Sequence, residues 1–165
     1  MRQFSSLKIS RAFTLLELLV VIAIIGLLAS IVLASLQSAR YKGYDAAIKE
    51  NLHTIRSQTE LYYSSNQHYG PVVSGTQNAV SCPTSGTSIF FTDTAIKAAI
   101  DSVAALAPGG TRATCATSPL SGDANAWAVS APLKYDSPYY WCVDSNGVAR
   151  RITPDLTLNQ YACPQ

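Results

Sequence analysis

The sequence predicts an α+β fold in which one long N-terminal α-helix packs on a small antiparallel β-sheet head. An apolar run over residues 13–36 continues, without a strong helix breaker, into a segment of helical periodicity that ends near residue 66. Short runs of β-forming residues separated by turn signals follow. The 4 cysteines all lie after the apolar run, and their even number indicates disulfides.

The apolar run is longer than the roughly 20 residues that a helix needs to span a bilayer. We therefore predict a transmembrane helix over residues 13–36 and not a soluble core helix. Its one charged residue is Glu17. Because an ionised group in hydrocarbon costs on the order of a few kcal/mol, Glu17 is predicted to be functional and to need a positively charged partner.

A short leader precedes the run. Residues 1–12 carry basic but no acidic side chains and end at Ala12. If a peptidase cut between Ala12 and Phe13, the new α-amino group would place a positive charge close to Glu17 of a neighbouring chain. Glu17 would then act in assembly.

The whole pattern, a basic leader, Ala-Phe-Thr-Leu-Leu-Glu and an apolar helix containing Gly26, resembles the type IV pilin and pseudopilin family. The resemblance implies that a prepilin peptidase removes the leader after Ala12 and N-methylates Phe13. It also implies that Glu17 neutralises the N-terminus of an adjacent subunit. Two departures are visible: family leaders usually end in Gly, and the helix-breaking Pro frequent in the family is absent, which leaves Gly26 as the weak point of the helix.

By this resemblance we expect the pilin fold and a structural subunit of a type IV pilus or related filament. Such a subunit is a single-pass protein of the cytoplasmic membrane with its head outside, and then part of an extracellular pilus or a periplasmic pseudopilus. The implied partners are further copies in a helical homopolymer, other pilins, the prepilin peptidase and methylase, an inner-membrane platform protein and an assembly ATPase. The alternatives are a type II secretion pseudopilin, or a minor pilin acting as a tip module that binds DNA or a surface.

The apolar run is also compatible with two simpler roles. A secretory signal could be cut at Ala34-Ser35 or Ser38-Ala39, but such signals have shorter apolar stretches and no internal acid. A plain membrane anchor explains the length but leaves Glu17 without a role. The apolar run has equal numbers of nearby basic residues on its two sides, so their charge does not predict the orientation of the helix in the membrane.

The cysteines indicate that the head lies in an oxidising compartment. Three pairings are possible; we favour Cys82 with Cys115 and Cys142 with Cys163, since each closes a local loop. The second pair resembles the C-terminal disulfide loop of many pilins. Four buried free thiols are the alternative, and the absence of a Cys-x-x-Cys pair disfavours a zinc site.

Four segments follow: a leader at 1–12, a membrane and filament-core half-helix at 13–36, an amphipathic half-helix at 37–66, and a head at 67–165 with a disulfide-bounded C-terminal region. The amphipathic half carries a stripe at helical spacing that is expected to pack on the head, with a lone coiled-coil stalk as the alternative. The stripe consists of Ile48, Leu52, Ile55, Thr59 and Tyr62.

In the head, a surface loop is predicted at 74–88, and a helix over Thr94 to Leu106, capped by Thr92 or Asp93 and ended by Pro108-Gly109-Gly110. Alternation from Trp127 to Leu133 predicts a strand with one buried face, with Pro132 at an edge or strand end.

Asn146-Gly147 predicts a hairpin with a two-residue turn. In that register Trp141 lies opposite Ile152 on the inward face, and Cys142 and Asp144 point outward. The tail from Pro154 to Gln165 is expected to be an irregular flap.

No catalytic, metal or cofactor site is expected. His53 and His68 lack a second ligand at metal spacing, and the head acids are dispersed, including Asp136, Asp144 and Asp155, which could otherwise form the calcium site of a pseudopilin. The net charge of +2 falls to −1 without the leader, and no basic cluster accompanies the 9 tyrosines in the sequence. DNA binding is therefore possible but unsupported, and we assign the tyrosines to packing and subunit contacts.

Overall fold

The computed structural model describes residues 13–71, 80–118, 122–157 and 159–165. These residues form two compact units, divided between Ser38 and Ala39. The leader, with Ala12, lies outside the described residues, as do residues 74–79 of the surface loop predicted at 74–88.

The long N-terminal helix is present. Helix α1 runs over Leu15–Asn66, and its second half packs on the sheet through the predicted stripe, where Ile48, Leu52 and Ile55 are fully buried in the main core. The α+β fold with a long helix on an antiparallel sheet is therefore confirmed.

Two further α-helices follow α1 in the part of the chain that the structure describes. Helix α2, Ile89–Thr92, is a single turn, and helix α3, Thr94–Leu106, has the predicted bounds. The Asp93 carboxylate caps α3 by accepting the backbone N–H groups of Ala95 and Ile96, each at 2.9 Å. A 3₁₀ turn at Pro108–Gly110 then ends the helix, with Gly109 at φ 63°.

In the described residues, five antiparallel strands form one sheet in chain order, so that each strand pairs with the next. They are β1 Val80–Ser81, β2 Thr114–Ser118, β3 Ala126–Pro132, β4 Tyr140–Asp144 and β5 Ala149–Ile152.

The prediction that β3 has one buried face is wrong, because every residue from Trp127 to Ala131 is buried. Trp127, Val129 and Ala131 face the main core with α1, whereas Ala128 belongs to a second core on the other face of the sheet. Pro132 is the last residue of the strand. Of the two predicted positions, a sheet edge or a strand end, it therefore takes the strand end. The C-terminal tail covers the second face. Because the tail is distant in sequence, the local periodicity of β3 does not reveal that both faces are buried.

The predicted register of the hairpin is wrong by one residue. Tyr140 lies opposite Ile152, and Trp141 lies opposite Arg151. The turn has three residues instead of two, because Asp144 Oδ1 accepts the backbone N–H groups of Asn146 and Val148, each at 3.0 Å. Gly147, at φ 83°, then takes the left-handed position of a three-residue turn.

The second core lies beneath the tail. It contains Ala128, Cys142, Ile152, Leu156 and Cys163. Disulfides join Cys142 to Cys163 and Cys82 to Cys115, which are the two pairs favoured above. The tail has no helix or strand in its described residues, but the N–H of Cys163 donates to Asp144 Oδ2 at 2.8 Å. Side-chain bonds and a disulfide therefore hold an irregular segment on the sheet.

Candidate functional site on the N-terminal helix and its junction with the head

The first half of α1 exposes its apolar side chains on all sides. Exposure of its large residues ranges from 82% at Leu15 to 44% at Leu36. Among the described residues, α1 is the one helix long and apolar enough to cross a membrane, with a mean hydropathy of 2.9 in its most apolar window. A surface of this kind requires an apolar environment or a protein partner.

Glu17 forms a capping box with Thr14 at the start of this helix. Its Oε2 accepts the backbone N–H and the hydroxyl of Thr14, both at 2.9 Å, and the N–H of Glu17 donates to Thr14 Oγ1 at 3.2 Å. The Thr14 carbonyl accepts the N–H of Leu18 at 3.3 Å, as expected of a residue that caps the N-terminus. Sequence reasoning gave Glu17 an intermolecular partner and missed this local one, although Thr-x-x-Glu is a known signature of the motif.

Phe13 immediately precedes this capping box and is 80% exposed. Its backbone nitrogen, the predicted site of cleavage and methylation, is thus close along the chain to the carboxylate of Glu17. The neighbouring Ala12 lies outside the described residues.

Asp45 joins α1 to the loop between β3 and β4. Its carboxylate accepts backbone N–H groups from three consecutive residues: Lys134 at 2.6 Å, Tyr135 at 3.1 and 3.2 Å, and Asp136 at 3.1 Å. The residue is only 4% exposed. Sequence reasoning missed this link because its partners are about 90 residues away.

Tyrosines and lysines meet at the same junction. The Lys134 ammonium lies 4.7 Å from the ring centre of Tyr44 and 5.5 Å from that of Tyr41. The Lys42 ammonium lies 4.8 Å from the ring centre of Tyr135. These five residues, Tyr41, Lys42, Tyr44, Lys134 and Tyr135, are named the aromatic-lysine cluster. The expectation that no basic cluster accompanies the tyrosines is wrong here, since the fold brings Lys134 to the helix.

Other ionisable groups have structural contacts. The His68 imidazole lies 3.9 Å from the Asp123 carboxylate, and His53 is exposed. Asp155 accepts the hydroxyl of Thr114 at 2.7 Å and a short bond from Ser130. In the described part of the chain, no three His, Cys, Asp or Glu side chains are grouped as metal ligands.

Two ionisable groups of the head have pKa values that are shifted from their ordinary values. Hydrogen bonds from Lys97 and Arg112 lower the pKa of Asp101. Burial, with a hydrogen bond to Glu60, raises the pKa of Tyr69 to about 12. The Tyr69 hydroxyl donates to Glu60 Oε1 at 3.0 Å. Both groups belong to the head and lie away from the start of α1 in the sequence.

Comparison with known proteins agrees with this geometry. The family model described as "prokaryotic N-terminal methylation motif" matches residues 7–33. The chain is 35% identical over 74 residues to "type II secretion system core protein G" of Escherichia coli (strain K12), and 36% identical over 73 residues to the Klebsiella pneumoniae protein of that name. It is 37% identical over 60 residues to "type IV wide pilus major component PilA4" of Thermus thermophilus. The resemblance to type IV pilins and pseudopilins is therefore confirmed.

The matched segments cover 45%, 44% and 36% of this chain in the same order. The chain spans about half the length of these relatives, from 46% to 52%. No solved structure matches the chain significantly.

Proposed function

We propose that this chain is a structural subunit, a pilin, of a type IV pilus or related filament. The exposed apolar half of α1 carries the proposal, because such a surface is stable only in a membrane or against other apolar helices. In this mechanism the subunit is stored in the membrane by residues 13–36 and loses its leader after Ala12. Residues 13–36 then enter the shared core of a helical homopolymer.

Glu17 and Phe13 act as the assembly pair in this mechanism. The α-amino group of Phe13, methylated after cleavage, is the positive charge that Glu17 of an adjacent subunit neutralises. The capping box keeps the Glu17 carboxylate hydrogen-bonded inside its own chain until the neighbour arrives. A charge in hydrocarbon is costly, so subunit registers that leave both groups unpaired are disfavoured.

The machinery that fits this mechanism is a prepilin peptidase with methylase activity, an inner-membrane platform protein and an assembly ATPase. Other pilins would join the same fibre. The match within residues 7–33 supports the peptidase and methylase, and the match to a pilus component supports assembly with other pilins.

A pseudopilin of a type II secretion system is the second candidate. It is favoured by the relatives named core protein G. A pseudopilin would form a fibre that remains in the periplasm, whereas a pilin would reach the cell surface.

The deciding experiment is intact-mass analysis and N-terminal sequencing of the protein from two fractions, sheared surface material and the cell envelope. A chain in surface material that starts at N-methylated Phe13 and is four hydrogens lighter than its thiol form supports the pilin. The same processed chain confined to the envelope supports the pseudopilin. A chain that keeps its leader in both fractions overturns both and leaves a plain membrane anchor.

A further inference from the structure

We propose that the aromatic-lysine cluster binds the phosphate headgroups of anionic phospholipids while the subunit is stored in the membrane. The inference rests on the membrane-storage step of the proposed function. It assigns a lipid contact to the amphipathic half of α1 and to the head loop bound to it. Four properties of the cluster support it: its preorganisation, the availability of its lysines, its closeness along the chain to the apolar run, and the suitability of its side chains for a bilayer interface.

The cluster is held in place by the backbone. Asp45 binds three consecutive N–H groups of the loop that carries Lys134 and Tyr135, and Asp45 itself lies on α1 between Tyr44 and the buried Ile48. The two sources of the cluster, one turn of helix and one loop, are thereby fixed to each other. A ligand does not have to order them, which lowers the entropic cost of binding.

The ammonium groups of the cluster are available to bind an anion. In the described part of the chain, neither Lys42 nor Lys134 forms an ion pair. The nearby carboxylates are already engaged, since Asp45 accepts backbone N–H groups and Asp136 lies 3.9 Å from Arg151. Lys49, over the ring of Trp141 at 4.6 Å, adds a further cation on α1. Counted as formal charges, Lys42, Lys49 and Lys134 outnumber the carboxylate of Asp45, while Asp136 and Arg151 cancel. These groups therefore carry a net positive charge.

The cluster begins close to the end of the apolar run. Tyr41 follows Leu36 by only five residues, so that at most about 18 Å of chain separates them in any arrangement of the two units. When residues 13–36 lie in a bilayer, Tyr41 and Lys42 are thus held near its headgroup layer.

The side chains match that layer. Tyrosine is enriched at membrane interfaces because its ring is apolar and its hydroxyl is polar. Lysine ammonium groups attract anionic headgroups, and their stems lie along apolar surface. In the cluster the tyrosine rings hold each ammonium from one side, and its remaining N–H donors are left for phosphate oxygens. Tyr135, 45% exposed, supplies an accessible ring at the surface.

The test uses the full chain in nanodiscs made from a mixture of phosphatidylglycerol and phosphatidylcholine. Lipids that remain bound after release of the nanodisc are counted by native mass spectrometry. The variant is Lys42→Gln with Lys134→Gln, which leaves the backbone bonds to Asp45 intact. The matched control, Lys97→Gln with Arg150→Gln, removes the same charge elsewhere on the head. Lys42→Arg with Lys134→Arg keeps the charge, and near-ultraviolet circular dichroism checks the fold of every variant.

We expect the wild type, the matched control and the arginine variant to retain phosphatidylglycerol preferentially. A basic residue near a membrane surface is worth about fivefold in binding, so the glutamine variant should lower the preference about 25-fold. High salt should abolish the preference.

An equal lipid ratio for the wild type and the glutamine variant, both inserted, overturns the lipid site alone. Failure of the wild type to enter a nanodisc overturns membrane storage, and the lipid site with it. A single-stranded oligonucleotide that binds the solubilised wild type but not the glutamine variant, together with no lipid preference, assigns the cluster to nucleic acid instead.

Discussion

The carboxylate of Asp45 accepts the backbone N–H of Tyr135 with both of its oxygens, at 3.1 and 3.2 Å, across a sequence separation of 90 residues. Asp45 belongs to α1 and Tyr135 to the loop that follows β3. The contact therefore joins the amphipathic half of the helix to the sheet by polar bonds, beside the apolar packing of Ile48. It also positions the aromatic-lysine cluster.

Asp45→Asn should destabilise the head by about 2 to 3 kcal/mol. An asparagine keeps one acceptor oxygen and turns an NH₂ donor toward backbone N–H groups, which leaves buried donors unsatisfied. The free energy of unfolding is measured by urea denaturation of the full chain in detergent. Asp123→Asn is the control, because its side chain is 57% exposed and its contact with His68 is long. Equal unfolding midpoints for the Asp45 variant and the wild type would contradict the role of Asp45.

Three substitutions separate the two roles of Glu17. Glu17→Gln preserves the capping box but removes the charge, Thr14→Ala breaks the box but keeps the charge, and Glu17→Ala removes both. We expect both Glu17 variants to lower filament yield on the order of 100-fold, because an unpaired charge in the apolar core costs a few kcal/mol. Yield is measured as protein in sheared surface material, or as envelope fibre for a pseudopilin.

Thr14→Ala should assemble nearly normally, and all three variants should insert into the membrane. Glu50→Ala, on an exposed position of the same helix, is the matched control. A normal yield from Glu17→Gln would sink the charge-neutralisation mechanism, and a block by Thr14→Ala alone would transfer the role to the cap.

Removing the C-terminal disulfide by Cys142→Ser with Cys163→Ser should cost about 3 kcal/mol of unfolding free energy. Only hydrogen bonds, such as those of Asp155 with Thr114 and Ser130, and the packing of Leu156 would then hold the tail. We expect its C-terminal end to open and to expose the second core to solvent. Limited proteolysis followed by mass analysis should find new cuts between residues 153 and 165. If the tail of the double variant resisted protease as well as the wild-type tail does, the disulfide would be dispensable.

Tyr69 should make the head sensitive to alkali. Its folded pKa, about 12, lies above the ordinary value of 10.0, so folding favours the protonated form. This contribution is fully present below pH 10 and is lost as the pH rises through about 12. Tyr69→Phe should lower stability at neutral pH but flatten its decline over that interval, as measured by unfolding at a series of pH values. If the variant lost unfolding free energy with pH as steeply as the wild type, Tyr69 would not be the source of the alkali sensitivity.

The features that sequence predicts well are those specified by neighbouring residues. Helix α3 has the expected bounds because Asp93 caps it and an apolar stripe follows at helical spacing. The apolar run and Glu17 likewise follow from local composition.

Most of the features that the sequence did not predict depend on contacts between distant residues. Strand β2, Thr114–Ser118, has no alternating apolar pattern and is specified by pairing with β3 and by the disulfide from Cys115. The aromatic-lysine cluster is another such case, since Lys134 reaches the tyrosines only through the loop bound to Asp45. The hairpin register is a local exception, because the Asp144 side chain binds the nearby N–H groups of Asn146 and Val148 and selects a longer turn.

The two disulfides also limit how far the head can lengthen when it is pulled. They close loops with sequence separations of 33 and 21 residues. At about 3.5 Å for each extended residue, these loops withhold roughly 115 and 75 Å of contour length from any tension applied at the chain ends. The head therefore lengthens less before the covalent links bear the load, which would be a useful mechanical property in the proposed fibre.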